Sequence, residues 1–325
     1  MLDDLALFAV PPRELPLVAA VFVLGAAFTF GALWGSFLNV VIARVPRGQS
    51  VVTPRSRCPK CETMITARDN IPILSWLLLR AKCRHCGAGI SARYPLVELI
   101  GGVAGTVAVA RFGVTLPAAE LFCFILILVA ISFIDLDTFT VPTSLVVALS
   151  SVGIGFGLLR WQLLGPEARG GLAGDDVVDR LIGGVVAGIM LSCIVIVATG
   201  VLRRVKDKDG NPRVPPGEWA MGWGDPMILA ALGFCLGWQA MPMTLFLASV
   251  IGSVIGIVLK VTGQLKDRGP ISDDDPWIPP DDAVPFGPFL ALGGLLAAFF
   301  GDAIHTRLLP LLGLGDGGVL LRYLE

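Results

Sequence analysis

The chain has 325 residues, of which 54% are hydrophobic and only 16% charged, with a net charge of −1 and a mean hydropathy of +0.77. Soluble chains carry about a quarter charged residues, so an ordinary soluble enzyme is disfavoured, and no nucleic-acid partner is expected. The polar residues gather between long apolar runs instead of alternating within them, which implies an all-α polytopic membrane protein in contact with the lipid bilayer.

The predicted spans, in chain order, are 17–43, 96–110, 117–134, 141–159, 181–202, 227–239, 242–262 and 285–300, about eight transmembrane helices in all. Crossing the hydrocarbon core takes roughly 20 apolar residues. The spans 96–110, 227–239 and 285–300 are short by that measure, so they must extend into their flanks, border a cavity or begin partway into the bilayer. The flank before the first span, "MLDDLALFAVPPREL", is acidic, which argues against a signal peptide.

The loop after the first span holds ten Lys and Arg residues from Arg44 to Arg93, against Glu62 and Asp69. Basic loops stay in the cytoplasm, so this loop is expected there, with both termini outside. It also carries "CPKC" (Cys58, Cys61) and "CRHC" (Cys83, Cys86). Two such knuckles can present four thiolates tetrahedrally to a structural Zn²⁺. A reducing compartment disfavours the alternative of paired disulfides. His85 reads as a bystander. Cys123, Cys193 and Cys235 lie within apolar runs and read as buried small hydrophobes. The expected organisation is an N-terminal segment with the first helix (1–45), a zinc loop (46–94), a membrane core (95–300) and a tail (301–325).

Span three ends in "FIDLDTFTVP", with Asp135 and Asp137, and span six begins at Asp225 in "MGWGDP". A carboxylate at the membrane edge is a functional candidate, although Asp225 alone also fits a helix N-terminus. Two carboxylates from different helices at one depth can share a proton. One then activates water while the other polarises a carbonyl, which is the equipment of an aspartic protease. Chemistry alone does not choose between Asp135 and Asp137. The glycines of "GWGD" would let an extended chain approach. Glu98, at the start of span two beside the cysteine loop, is a further edge carboxylate; its plainer reading is a helix-start residue favoured by the macrodipole.

These motifs, in order with "GSFLNVVIARVP", "ARYPLVELIGG" and "VPFGPFLALGG", resemble the bacterial type IV prepilin leader peptidases. These are GxGD-type membrane aspartic proteases of pilus and type II secretion systems. The resemblance runs from Gly35 to Gly294. It implies that the catalytic pair is Asp135, seven residues before Pro142, and Asp225. It further implies that the enzyme sits in the bacterial inner membrane, with zinc loop and active site on the cytoplasmic side. It would cut leaders from prepilins or pseudopilins after a glycine. Relatives with the cysteine loop also N-methylate the new terminus, using S-adenosylmethionine. The residues that bind this donor are not derivable, and Glu98 is the one candidate offered. Two positions depart from the family pattern: Thr143 stands where aspartate often follows the proline, and Met227 where lysine often follows GD.

Two other readings fit parts of the pattern. A non-proteolytic membrane methyltransferase or assembly factor would keep the aspartates as structural groups. A proton-coupled transporter would use them as a relay, but such sites lie near the midplane. The acidic stretch 272–282 reads as a linker, or as a grip on a basic leader, and the tail after 301 as a surface helix.

Overall fold

The structure, a computed structural model, describes residues 12–164, 177–206, 212, 214, 217, 219–263 and 284–303. The acidic stretch 272–282 and the tail from 304 onward lie outside the described residues. Among the described residues the chain is helical, without a strand; its β-pairing is limited to isolated bridges. The helices are α1 (Leu17–Arg44), α2 (Leu74–Leu78), α3 (Arg93–Phe112), α4 (Leu116–Thr138), α5 (Thr143–Leu164), α6 (Val177–Leu202), α7 (Gly224–Leu236), α8 (Ala240–Val261) and α9 (Gly287–Ala303).

Six of these, α1, α3, α4, α5, α6 and α8, are long and apolar enough to cross a membrane, and α7 and α9 are shorter apolar helices. The count of about eight spans therefore holds as six full-length helices and two short ones. Span 96–110 grows at both ends to the 20 residues of α3. By contrast α7 has 13 residues and α9 has 17. Proline at or near their first turn sets the starts of α4, α7 and α9, where its missing N–H costs nothing. Phe139 and Gly237, both at positive φ, end α4 and α7.

Helix α4 is the axis of the bundle. It touches α1, α3, α5 and α9, and 61% of its apolar window is buried, against 11% for α1 and for α8. Leu121, Phe124, Ile131 and Ile134 of α4 are fully buried with Leu149 of α5, Ile228 and Leu232 of α7 and Leu290 of α9. The outward apolar faces of α1, α6 and α8, such as Phe22, Val186 and Ile257, are exposed on the protein and belong to lipid. Cys193 is part of that outward surface and Cys123 is half-buried, which corrects the expectation that all three apolar-run cysteines are buried; only Cys235 is. A lipid-facing wall needs apolar side chains as much as a core does, so hydropathy cannot separate the two.

Lipid gives helices no hydrophobic reason to associate, so close backbone packing by small residues matters. Gly31 and Gly35 of α1 face Gly101 and Gly105 of α3, four residues apart on each helix. A Cβ at Gly31 or Gly101 would strike the other's carbonyl. Gly183 of α6 and Gly233 of α7 meet backbone to backbone in the same way.

Polar atoms also hold the bundle together, toward the end opposite Asp135. Glu120 of α4 bonds Arg180 of α6 at 2.5 Å and lies 3.5 Å from Arg160 of α5. Arg180 Nη1 also donates to the Gly153 carbonyl of α5 at 2.8 Å. All three charged side chains are buried. Removing one partner of such a cluster strands the others' charge in a medium that cannot hydrate it. Glu120→Ala should therefore destabilise the detergent-solubilised protein by about 3–5 kcal/mol, measured as a lowered thermal unfolding midpoint.

Candidate active site and metal centre

The four predicted cysteines come together. Their Sγ atoms all lie within 4.8 Å of one another, with Cys58–Cys86 at 3.8 Å and Cys61–Cys83 at 4.0 Å. A tetrahedral Zn²⁺ with Zn–S bonds near 2.3 Å needs sulfurs about 3.8 Å apart, so the donor set and its spacing fit that ion. His85 is not part of the cluster.

The two knuckles are built alike. Cys58 N–H bonds the Thr63 carbonyl at 3.0 Å, and Cys83 N–H bonds the Ala88 carbonyl at 2.7 Å. Each knuckle turns on one positive-φ residue, Glu62 and Gly87. Thr63, through its hydroxyl 3.4 Å from Sγ and its backbone, lowers the Cys61 thiol to about 6, which favours the thiolate a metal requires. Arg84, inside the second knuckle, and Asp69, in the segment between the knuckles, form a forked pair at 2.6–3.0 Å. That hydrogen bond holds the Asp69 carboxyl below its ordinary range.

Three tethers fasten this loop to the membrane helices. Arg44, at the end of α1, donates to the carbonyls of Ser50 and Pro54 at 2.9 and 2.8 Å. Glu98 of α3 accepts the Ile73 amide at 2.7 Å, where Ile73 takes a positive φ to start α2. Arg93, the first residue of α3, pairs with Asp137 of α4 at 2.7 Å, donates to the Phe133 carbonyl at 3.3 Å and covers the Phe133 ring at 4.7 Å.

That last contact separates the two aspartates that the sequence left level. Asp137 points outward, its side chain 44% exposed, and is matched by Arg93. Asp135 points inward and is 4% exposed. Helix geometry turns residues two apart to opposite faces. Asp225, 9% exposed, sits in the first turn of α7, with Trp223 as the N-cap residue, so it is inside the helix and not its cap. Ile228, three residues on in the same helix, and Asp135 both lie against the start of α9 at Gly287.

Backbone packing brings them together. Gly224 presses on Val141 of the α4–α5 connection, where a Cβ would come within 2.7 Å of the valine. The Gly287 amide, at the start of α9, donates to Asp135 Oδ2 at 3.0 Å. A Cβ on Gly287 would lie 2.5 Å from that oxygen and 3.1 Å from Ile228 of α7. So three helix ends converge on the carboxylate, and no side chain at 287 fits between them. Gly222, in contrast, has open space around it. Thr143 and Met227, the two departures from the family pattern, are exposed at the edge of this site.

Sequence reasoning missed Arg93 and Gly287. Both stand in motifs it quoted, "ARYPLVELIGG" and "VPFGPFLALGG", but each acts through a contact with α4 that no spacing encodes. Chemically, the arrangement offers two buried carboxylates at the end of the bundle beside a metal-binding loop. Two buried carboxylates brought to one end of a bundle can in general share one proton and activate a water.

Residues 29–112 match the model of the bacterial peptidase A24 N-terminal domain, and residues 122–257 that of the type IV leader peptidase family. A prepilin leader peptidase/N-methyltransferase of Myxococcus xanthus is 34% identical over 87% of this chain and 91% of that protein. Proteins of the same name from Aeromonas hydrophila and Burkholderia pseudomallei are 37% and 31% identical, over 85% and 94% of this chain and 90% and 92% of theirs. No solved structure matches.

Proposed function

The chain belongs to the type IV leader peptidase family, and from that premise we propose that Asp135 and Asp225 are its catalytic dyad. It is a multi-pass membrane enzyme that cleaves prepilin leaders and N-methylates the product. The observation that carries the dyad is the burial of both carboxylates, from helices 90 residues apart in sequence, at one end of the bundle. A prepilin helix would pack against the apolar wall and lay its scissile bond at that end. One aspartate takes a proton from the attacking water and the other gives one to the departing amine. Gly287 N–H holds Asp135 in place, and the open space at Gly222 receives the extended leader. Pseudopilins of type II secretion would be handled in the same way.

The cysteine loop holds Zn²⁺ as a structural ion, in the reading its sulfur spacing favours. The loop and the dyad face the cytoplasm in the orientation that the basic residues between Arg44 and Arg93 favour. The methyl donor is S-adenosylmethionine. Glu98 was the candidate for binding it, but the bond from Ile73 supports a tethering role instead. As units, the loop of 46–94 and the membrane core of 95–300 then divide anchoring from cleavage.

The test is a reconstitution of the purified protein in liposomes with a membrane-embedded prepilin and S-adenosylmethionine. Mass spectrometry should show loss of the leader and then the gain of one methyl group. A transporter or an assembly factor would leave the prepilin at full length.

A further inference from the structure

Arg93 occupies an unusual junction. It ends the four-cysteine loop, begins α3, and grips the last turn of α4 through three contacts of different kinds: a charged pair with Asp137, a hydrogen bond to the Phe133 carbonyl and a stack on the Phe133 ring. Asp135 lies inside the very turn that Arg93 holds, and its carbonyl accepts the Phe139 amide that closes α4. The planar guanidinium suits this combination and an ammonium does not. The pair is also the one side-chain ion pair, among the described residues, that links the loop side of the molecule to α4.

We propose that Arg93 is a positioning residue for leader cleavage, transmitting the folded state of the four-cysteine loop to Asp135. With the loop folded, residues 91–93 are held and the guanidinium fixes the α4 turn from the outside, while Gly287 fixes the Asp135 carboxylate from the inside. When the loop loses its metal and unfolds, the arginine loses its anchorage and the turn carrying Asp135 loosens. This inference rests on the reading of Asp135 as catalytic.

The experiment measures cleavage of a membrane-embedded prepilin by the full-length enzyme, wild type and Arg93→Ala, each metal-loaded and after chelation. Hydrogen exchange across residues 133–139 is followed in the same four samples. Arg93→Ala should lower kcat on the order of 10- to 100-fold with KM little changed, and should speed exchange in that turn. Chelation should do both to the wild type but add little to Arg93→Ala, because coupled perturbations do not add. Asp137→Asn, which removes the charged pair and leaves the two Phe133 contacts, should move both readouts in the same direction by less, and Arg93→Lys should fall between Arg93→Ala and the wild type. These two variants carry the test if Arg93→Ala does not fold. An unchanged kcat, or a chelation penalty equal in variant and wild type, overturns the proposal. Full activity of Asp135→Asn would instead overturn the dyad, so the two failures are distinguishable.

Discussion

Asp135→Asn and Asp225→Asn should each cut the rate of leader cleavage by about 10³-fold or more, since a positioned acid or base contributes roughly 10²–10⁴-fold and each step of this reaction needs both. Asparagine keeps the size of each side chain and, at position 135, an oxygen to accept the Gly287 amide, so the variants should insert and fold as the wild type does. The double variant should be little worse than either single one, because two groups that share one proton act as a unit. Asp137→Asn should lose only what the Arg93 contact contributes. Initial rates with a reconstituted prepilin decide the matter: if either single variant retained a tenth of wild-type activity, the dyad would be abandoned.

Replacing Cys58 and Cys83 together with serine should abolish metal binding, with elemental analysis giving less than one tenth of the wild-type zinc. Each replacement takes one sulfur from one knuckle, and two remaining thiolates cannot complete a tetrahedral site. The loop from Val51 to Ser91 contains few buried apolar side chains, so a bound metal would be the main source of its order. Structural zinc binding of this kind is worth about 10–16 kcal/mol, far more than the tethers to α1 and α3 supply. The double variant should therefore be cut within this loop by added protease, while α3 to α9 stay intact. Acid should act in the same direction. Metal binding needs thiolates, so the bound form is favoured above the thiol pKa values and lost as protons compete below them. The wild type should therefore lose bound zinc progressively as the pH is lowered from neutral, read by elemental analysis after dialysis.

Much of this architecture is legible in the sequence because the bilayer restricts what an apolar run can become. The spans and the cysteine knuckles follow from composition and spacing, and so does the candidacy of Asp225 and of the two aspartates at the end of span three. The choice between Asp135 and Asp137 does not, because it depends on where Arg93 lies, 44 residues away. Glu120 lies within the predicted span 117–134, and Arg160 and Arg180 just outside the spans 141–159 and 181–202, but their mutual contact needs three helices packed side by side. Gly287 acts through its amide and through having no side chain, and neither property marks one glycine among 39.

Helix α7 has a consequence for the helices around it. Its 13 residues rise about 20 Å, while the hydrocarbon layer is about 30 Å thick. It begins at Gly224 and stops short of the far side, yet most of its side chains are buried against protein, with α5, α6, α8 and α9 all packed on it. The shortfall is absorbed inside the bundle, so the depth of Asp225 is set by its packing and not by the thickness of the surrounding bilayer.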